Sequence, residues 1–348
     1  MKILLTGHLG YIGSVMGPML ERAGHSVMGV DAAYFAHCTF EDPTLVPGIQ
    51  ADVREPLVEF LRGSDAVVHL AALSNDPLGN LNARLTREIN HRASVRLAQA
   101  AKRAGVPRFV FASSCSLYGI AGDGMLDESA PFHPITPYGD SKVAVERDVA
   151  ALADERFSPT FMRNATAYGV SPRLRADVVV NNLVGYAFTT GEVVIQSDGT
   201  AWRPLVHVED FSRAFLAVLA APREKVHNEA FNVGRTSENY RVRDLADLVQ
   251  SLVPGSRVRY ANGVGPDPRS YRVDCSKLEE TLPAYQPVWT VERGVRELRE
   301  AFARHGLTAA EFLGDRYFRI KQIQQLQRTG RLSADLRWLT RVPARVLA

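Results

Sequence analysis

Ile3-Leu4-Leu5-Thr6-Gly7-His8-Leu9-Gly10-Tyr11-Ile12-Gly13 is the stretch on which the fold turns. A short apolar run meets three glycines spaced by three, and a helix-type stretch follows at about Ile12–Ala23. An apolar run bounded by glycine reads as a buried strand. Glycines behind it permit a tight turn and let backbone amides approach a diphosphate, whose charge the helix N-terminus favours. The spacing is Gly-x-x-Gly-x-x-Gly, unlike the Gly-x-Gly-x-x-Gly of ordinary dehydrogenases, and three glycines after a strand also fit a purely structural turn. A second strand, Val27–Val30, ends at Asp31, 24 residues after Gly7. A carboxylate there accepts a hydrogen bond from a ribose 2′-hydroxyl and repels a 2′-phosphate, so the cofactor expected is NAD rather than NADP.

Outward from this turn, strand-type runs at Ala66–Leu70, Phe109–Ser113 and Thr160–Met162 alternate with helix-type stretches at Arg84–Arg103 and Pro137–Arg156. That alternation predicts an α/β fold, a doubly wound parallel sheet of Rossmann type with ligands beyond the carboxyl ends of the strands. Past Ser171 the pattern breaks into shorter pieces, which suggests a smaller α/β substrate-binding lobe. The division expected is a dinucleotide domain over residues 1–170 with return segments near 203–234, a substrate lobe over 171–305 and a helical extension over 306–348. Within these, His207–Ala220 and Phe231–Gly234 read as a helix and a strand returning to the main sheet, and Glu311–Gln327 reads as helical.

A chain of 348 residues, 46% hydrophobic, can bury a full core. Its 41 basic and 38 acidic residues are spread throughout and leave a formal charge of +3, which argues against a nucleic-acid partner. Cys38, Cys115 and Cys275 lack the close pairing of zinc sites and are odd in number, so no metal is expected and a reducing cytoplasm fits. The N-terminus starts directly on strand character and no apolar run reaches spanning length, which argues against secretion or membrane insertion.

Tyr138 and Lys142 stand one helical turn apart and so share a face. A nearby cation favours a phenolate, which could take the proton from an alcohol as hydride leaves its carbon. With 11 tyrosines and 6 lysines in 348 residues, about 0.2 such pairs would arise by chance, so position matters. The pair follows the fourth strand and Ser113-Ser114, where Ser114 can hydrogen-bond the same oxygen.

At these residues the chain resembles the extended short-chain dehydrogenase/reductase superfamily, in its NAD-dependent sugar-nucleotide epimerase/dehydratase branch. The resemblance runs from residue 1 to about 300 and includes Gly7, Gly10, Tyr11, Ile12 and Gly13 of the turn. It also places Asp52-Val53 against adenine, Leu70-Ala71-Ala72 beneath the cofactor, and Asn90 as the asparagine that positions the lysine. Ser113, Ser114, Tyr138 and Lys142 match the catalytic segments. Toward substrate, a nucleotide-diphosphate sugar, it implies contacts from Asn181 and Asn182, from Arg203 within Trp202–Asp210, and from Arg269 within Pro266–Ser270. Two guanidinium groups suit a diphosphate through bidentate donors, although either could instead make a surface ion pair. A homodimer is implied by the same resemblance.

The departures narrow the reaction. Relatives usually place asparagine three residues after the strand arginine, whereas Arg163 is followed by Asn164-Ala165-Thr166, so Thr166 stands there. In 4,6-dehydratases an aspartate and a glutamate follow the catalytic serine or threonine; here they are Cys115 and Ser116. Epimerisation at carbon 4 through a transient ketone, with NAD regenerated, needs no such pair, whereas dehydration does. A dehydratase, 3,5-epimerase or decarboxylase using the Cys115 thiol, with Asp76 supplying a carboxylate near the sugar, is the alternative. A non-catalytic NAD(H)-binding protein is a third reading, against which the retained Ser114, Tyr138 and Lys142 weigh.

Overall fold

The computed structural model describes residues 1–263, 265–340 and 346–347. Among these, seven parallel strands form the central sheet in the order Glu229–Val233, Ser158–Asn164, Arg108–Ser114, Ala66–His69, Lys2–Thr6, Ser26–Asp31 and Gly48–Gln50. Val346–Leu347 pairs antiparallel with Gly48–Gln50 at the outer edge. Leu5 lies in register with Gly29 on one side and Val68 on the other. The chain winds outward from Lys2–Thr6 in one direction and then resumes on its other side, which opens a crevice beyond the carboxyl end of that strand.

Alternate residues of these strands feed two cores. Leu5, Val68, Val110 and Met162 face Leu20, Phe215 and Leu219. Leu4, Val67, Phe109 and Phe161 face Leu97, Val145 and Val149 on the opposite side. Each such side chain contributes roughly 1.5–3 kcal/mol by leaving water. The five sequence-predicted strands are all present. Phe231–Gly234, read as a returning strand, corresponds to Glu229–Val233 paired with Ser158–Asn164.

Three helical readings need correction. Arg84–Arg103 is interrupted, with α-helix at Ala83–Thr86, a π-turn over Arg87–Arg92, and α-helix again over Ala93–Arg103. The helix from Pro137 stops at Ala150, where the backbone turns toward the Asp154–Phe157 bridge. Glu311–Gln327 is two helices, Ala309–Leu313 and Arg319–Arg328. Gly314 ends the first, and the Tyr317 carbonyl leaves the helical path to accept from the Ala176 amide.

Beyond residue 170, helices Val179–Thr190, Val242–Leu252 and Val291–Arg304 pack around Leu183, Val249, Val295 and Phe302. Short strands at Thr166–Tyr168, Trp202–His207 and Asn239–Arg241 form a second sheet, whose Thr166, Ala167 and Arg203 border the crevice. Among the described residues no helix is long and apolar enough to cross a membrane.

Candidate active site

A cavity of about 630 Å³ runs along the crevice. At one end sits the glycine turn. Gly7 has φ of +79°, its amide donates to the Val30 carbonyl at 2.7 Å, and its own carbonyl accepts from the Gly10 amide at 3.0 Å. A Cβ at Gly13 would lie 2.2 Å from the Gly7 oxygen, and one at Gly7 would lie 2.9 Å from the Ala71 amide. Glycine is therefore required for the turn to close on the helix and on Leu70–Ala72, and the resulting cradle of backbone fits a diphosphate. Asp31 accepts from the Leu9 and Ala33 amides at 3.1 and 2.7 Å, which fixes its carboxylate at the cavity wall. Asp52, also on the wall, is held by Arg54 at 2.6 Å beside Val53. These residues fit the NAD expected from the sequence.

Beneath them, His69 links the sheet to the helices. Its Nδ1 is 2.6 Å from the Thr6 hydroxyl and its Nε2 is 2.7 Å from Ser94, whose hydroxyl donates to the Asn90 carbonyl. A neutral ring protonated on Nε2 satisfies this whole chain. Burial, then the Lys142 charge, lowers the His69 pKa to about 3.

Thr136 caps the helix Pro137–Ala150 by accepting from the Gly139 amide, and this places Tyr138 and Lys142 in the first turns, facing the cavity. Lys142 donates to the Ala112 carbonyl at 2.6 Å, and its ammonium lies 5.4 Å from the Tyr138 ring centroid. Ser114 ends its strand beside them and accepts from the Ser116 amide and hydroxyl at 3.2 and 2.9 Å. Burial pushes Tyr138 up to about 12 against the Ser114 hydrogen bond, and burial pulls Lys142 down to about 7 against the Glu146 charge. Burial by the protein itself thus opposes the phenolate expected from the sequence. A cation added beside the ring would favour it.

Across the cavity, Arg203 and Arg269 converge on Asp267, at 2.5 and 2.6 Å, and Arg269 also meets Asp76. Asp76 accepts from the Thr136 hydroxyl at 2.7 Å, which ties this arginine cluster to the start of the helix that carries Tyr138 and Lys142. Asn164, Thr166 and Asn182 line the wall between, and the Asn164 Oδ1 is buried without a hydrogen-bond partner.

Three residues singled out in the sequence do not border the cavity. The Cys115 thiol is buried, donates to the Arg163 carbonyl at 3.1 Å, and burial holds its pKa well above the usual thiol range. A proton-shuttling Cys115 is therefore at odds with the geometry. Asn90 lies in the π-turn and pins Leu73, accepting from its amide at 2.8 Å, while its Nδ2 reaches Ser141 rather than Lys142. Asn181 spends its amide on Gly169, Arg175 and the Tyr11 hydroxyl, so its role is to brace the turn from behind. Conversely, Arg175, Asp177, Asp267 and Arg319 line the cavity without having been singled out. Asp267 lies within Pro266–Ser270 beside Arg269, and no sequence spacing points to the others.

A dinucleotide cradle in one cavity with a Tyr-Lys pair is the equipment of an enzyme that oxidises an alcohol beside a nicotinamide ring. Residues 3–234, two thirds of the chain, match the sequence model of the NAD dependent epimerase/dehydratase family, and the chain belongs to that family. The UDP-glucose 4-epimerase of Lactobacillus helveticus is 29% identical over 304 residues, covering 81% of this chain and 91% of its own. The structure of MoeE5 in complex with UDP-glucuronic acid and NAD is similar with a TM-score of 0.77 at 29% identity, over 88% of this chain and 100% of that one. The dTDP-glucose 4,6-dehydratase DesIV of Streptomyces venezuelae, solved with NAD, is similar with a TM-score of 0.75 at 25% identity, over 89% and 100% of the two chains.

Proposed function

We propose that this protein is a nucleotide-sugar 4-epimerase in which Ser114, Tyr138 and Lys142 carry the chemistry and Arg203 and Arg269 hold the substrate diphosphate. The carrying observation is that one cavity joins the glycine cradle, the Tyr138–Lys142 pair and the two arginines. NAD, when bound, accepts and returns hydride at the sugar carbon. Tyr138 takes the hydroxyl proton as that hydride leaves, Ser114 donates a hydrogen bond to the same oxygen, and Lys142 lends positive potential. Once the ketone turns over, the proton returns from Tyr138 as hydride returns to the opposite face, so the products balance the substrates. Ser116, bonded to Ser114 where a dehydratase needs a carboxylate, supports epimerisation over loss of water.

One relative is a UDP-glucose 4-epimerase and a similar structure holds UDP-glucuronic acid, so UDP-glucose and UDP-glucuronic acid are the first substrates to test. Purified protein is incubated with UDP-, dTDP-, GDP- and CDP-sugars in deuterated water and read by NMR and mass. Interconversion at carbon 4 without net NADH supports the reading; loss of water or carbon dioxide, or solvent deuterium at carbon 3 or 5, sinks it. The same reading assigns residues 1–170 to NAD with return segments near 203–234, 171–305 to the sugar nucleotide and 306–348 to an extension. It also holds the protein to be a cytoplasmic homodimer, which its three buried free cysteines support as to compartment and light scattering would test as to assembly.

A further inference from the structure

The segment after residue 306 reaches back across the molecule to the cofactor end of the cavity. Helix Arg319–Arg328 brings Arg319 to the cavity wall, where the side chain is only 2% exposed. Its Nη2 donates to the Arg173 carbonyl at 2.6 Å, its guanidinium lies 4.5 Å from the Phe35 ring centroid, and its Nη1 has no hydrogen-bond partner. Among the described residues no carboxylate forms an ion pair with it. The nearby carboxylate, Asp177, is already paired with Arg175 at 2.8 Å and bonded by Asn75 at 2.9 Å. A buried guanidinium without a counter-charge is costly unless an anion completes the site. Burial is felt directly, lowering the Arg319 pKa to about 10.

Farther along, the same segment fastens the loops that wall the cavity next to Asp31. The Leu336 carbonyl accepts from the Tyr34 hydroxyl at 2.5 Å and from Arg54 at 2.9 Å. Arg337 meets Asp52 at 3.1 Å, and the Trp338 indole donates to the Ala32 carbonyl at 2.7 Å while its ring packs 6.0 Å from that of Tyr34. Ala32, Tyr34, Phe35, Asp52 and Val53 all border the cavity, so every fastening lands on or beside its wall. Leu326, Leu332 and Leu336 bury their side chains against Leu73, Leu78 and Ile89, which anchors the strap to the main lobe.

We propose that this C-terminal strap is a working part of the cofactor site, in which Arg319 balances the diphosphate of NAD and Leu336–Trp338 clamp the wall around its adenosine. The inference rests on the cleft being the NAD site and is independent of which sugar is turned over. A strap of this kind suits a reaction that regenerates its NAD, because slow release keeps the reduced cofactor in place until hydride returns.

The test measures binding to the full-length protein by calorimetry, with NAD, ADP-ribose and adenosine as probes and no sugar present. Arg319→Gln is expected to weaken NAD and ADP-ribose at least tenfold and to leave adenosine within twofold, while Arg319→Lys restores most of the loss. Trp338→Ala is expected to weaken all three and to speed NAD release in stopped flow. Melting without ligand checks that each variant is folded, and the NAD-induced rise in Tm is the second readout. Unchanged ADP-ribose affinity in Arg319→Gln, or an equal loss for adenosine, overturns the proposal while leaving the epimerase reading intact. Absence of NAD binding by the wild type would instead remove the cleft assignment itself.

Discussion

Replacing Gly13 with alanine tests the cradle most directly. The added Cβ would lie 2.2 Å from the Gly7 oxygen and 2.6 Å from the His8 Cα, whereas ordinary contact begins at 3.4 Å. Turn and helix must therefore separate by about 1.2 Å, and both obstacles are backbone, which cannot rotate away. A hydrogen bond of about 2.9 Å stretched by that much ceases to be one. Two amide bonds to a charged phosphate, at roughly 1.5 kcal/mol each or more, amount to about 3 kcal/mol, or about a hundredfold in Kd. The assay is NAD titration followed by tryptophan fluorescence at fixed ionic strength, with circular dichroism to establish that the variant is folded. Gly10→Ala, whose Cβ would be 3.2 Å from the same oxygen, is expected to lose only a few-fold. Gly63→Ala, with φ of +73° and open space around it, is expected to lower Tm through strain of about 1 kcal/mol and leave Kd unchanged. A folded Gly13→Ala protein that binds NAD within threefold of the wild type would show that the diphosphate does not sit on this turn.

Tyr138→Phe keeps the ring and removes the proton acceptor, so kcat is expected to fall by about 10²–10⁴ with NAD affinity retained; activity within tenfold of wild type would exclude the phenol as acid/base. Cys115→Ala is expected to leave kcat within threefold, because the thiol faces Arg163 and not the cavity; a larger loss would revive a thiol-dependent reaction. His69 has a folded-state pKa lowered to about 3 from 6.5, so below pH 6.5 the unfolded chain binds a proton that the native state refuses. Stability is therefore expected to fall as the pH drops from about 6.5 toward 3, by roughly 2 kcal/mol at pH 5 from this residue. Urea unfolding at pH 7 and pH 5 checks this, and the decrement should shrink in His69→Asn.

The sheet was legible because its strands are apolar on both faces and bounded by glycine and proline, signals that belong to local sequence. The candidate trio Ser114, Tyr138 and Lys142 was legible for a related reason. Ser114 is fixed by a strand end, and Tyr138 and Lys142 by a single helix turn, so local spacing sets how the latter two face. The π-turn at Arg87–Arg92 was not legible, since one extra residue per turn leaves no compositional mark. Asn181 and Asn182 differ by one position, about 100° around a helix, and this decides that one braces Tyr11 while its neighbour lines the cavity. Arg175 and Arg319 escaped notice because their placement depends on packing between distant segments. Arg319 reaches its site only through the break at Gly314, which the helical spacing of Glu311–Gln327 concealed.

Strand Glu229–Val233 closes one flank of the central sheet although it comes from the second half of the chain. The sheet that carries the glycine turn is therefore unfinished until the ribosome has made about two thirds of the chain, and in the interim Ser158–Asn164, every residue of which is buried in the finished fold, is an unprotected edge ready to pair with a stranger. Nor do residues 1–170 complete that sheet by themselves, because its flanking strand is supplied from beyond them.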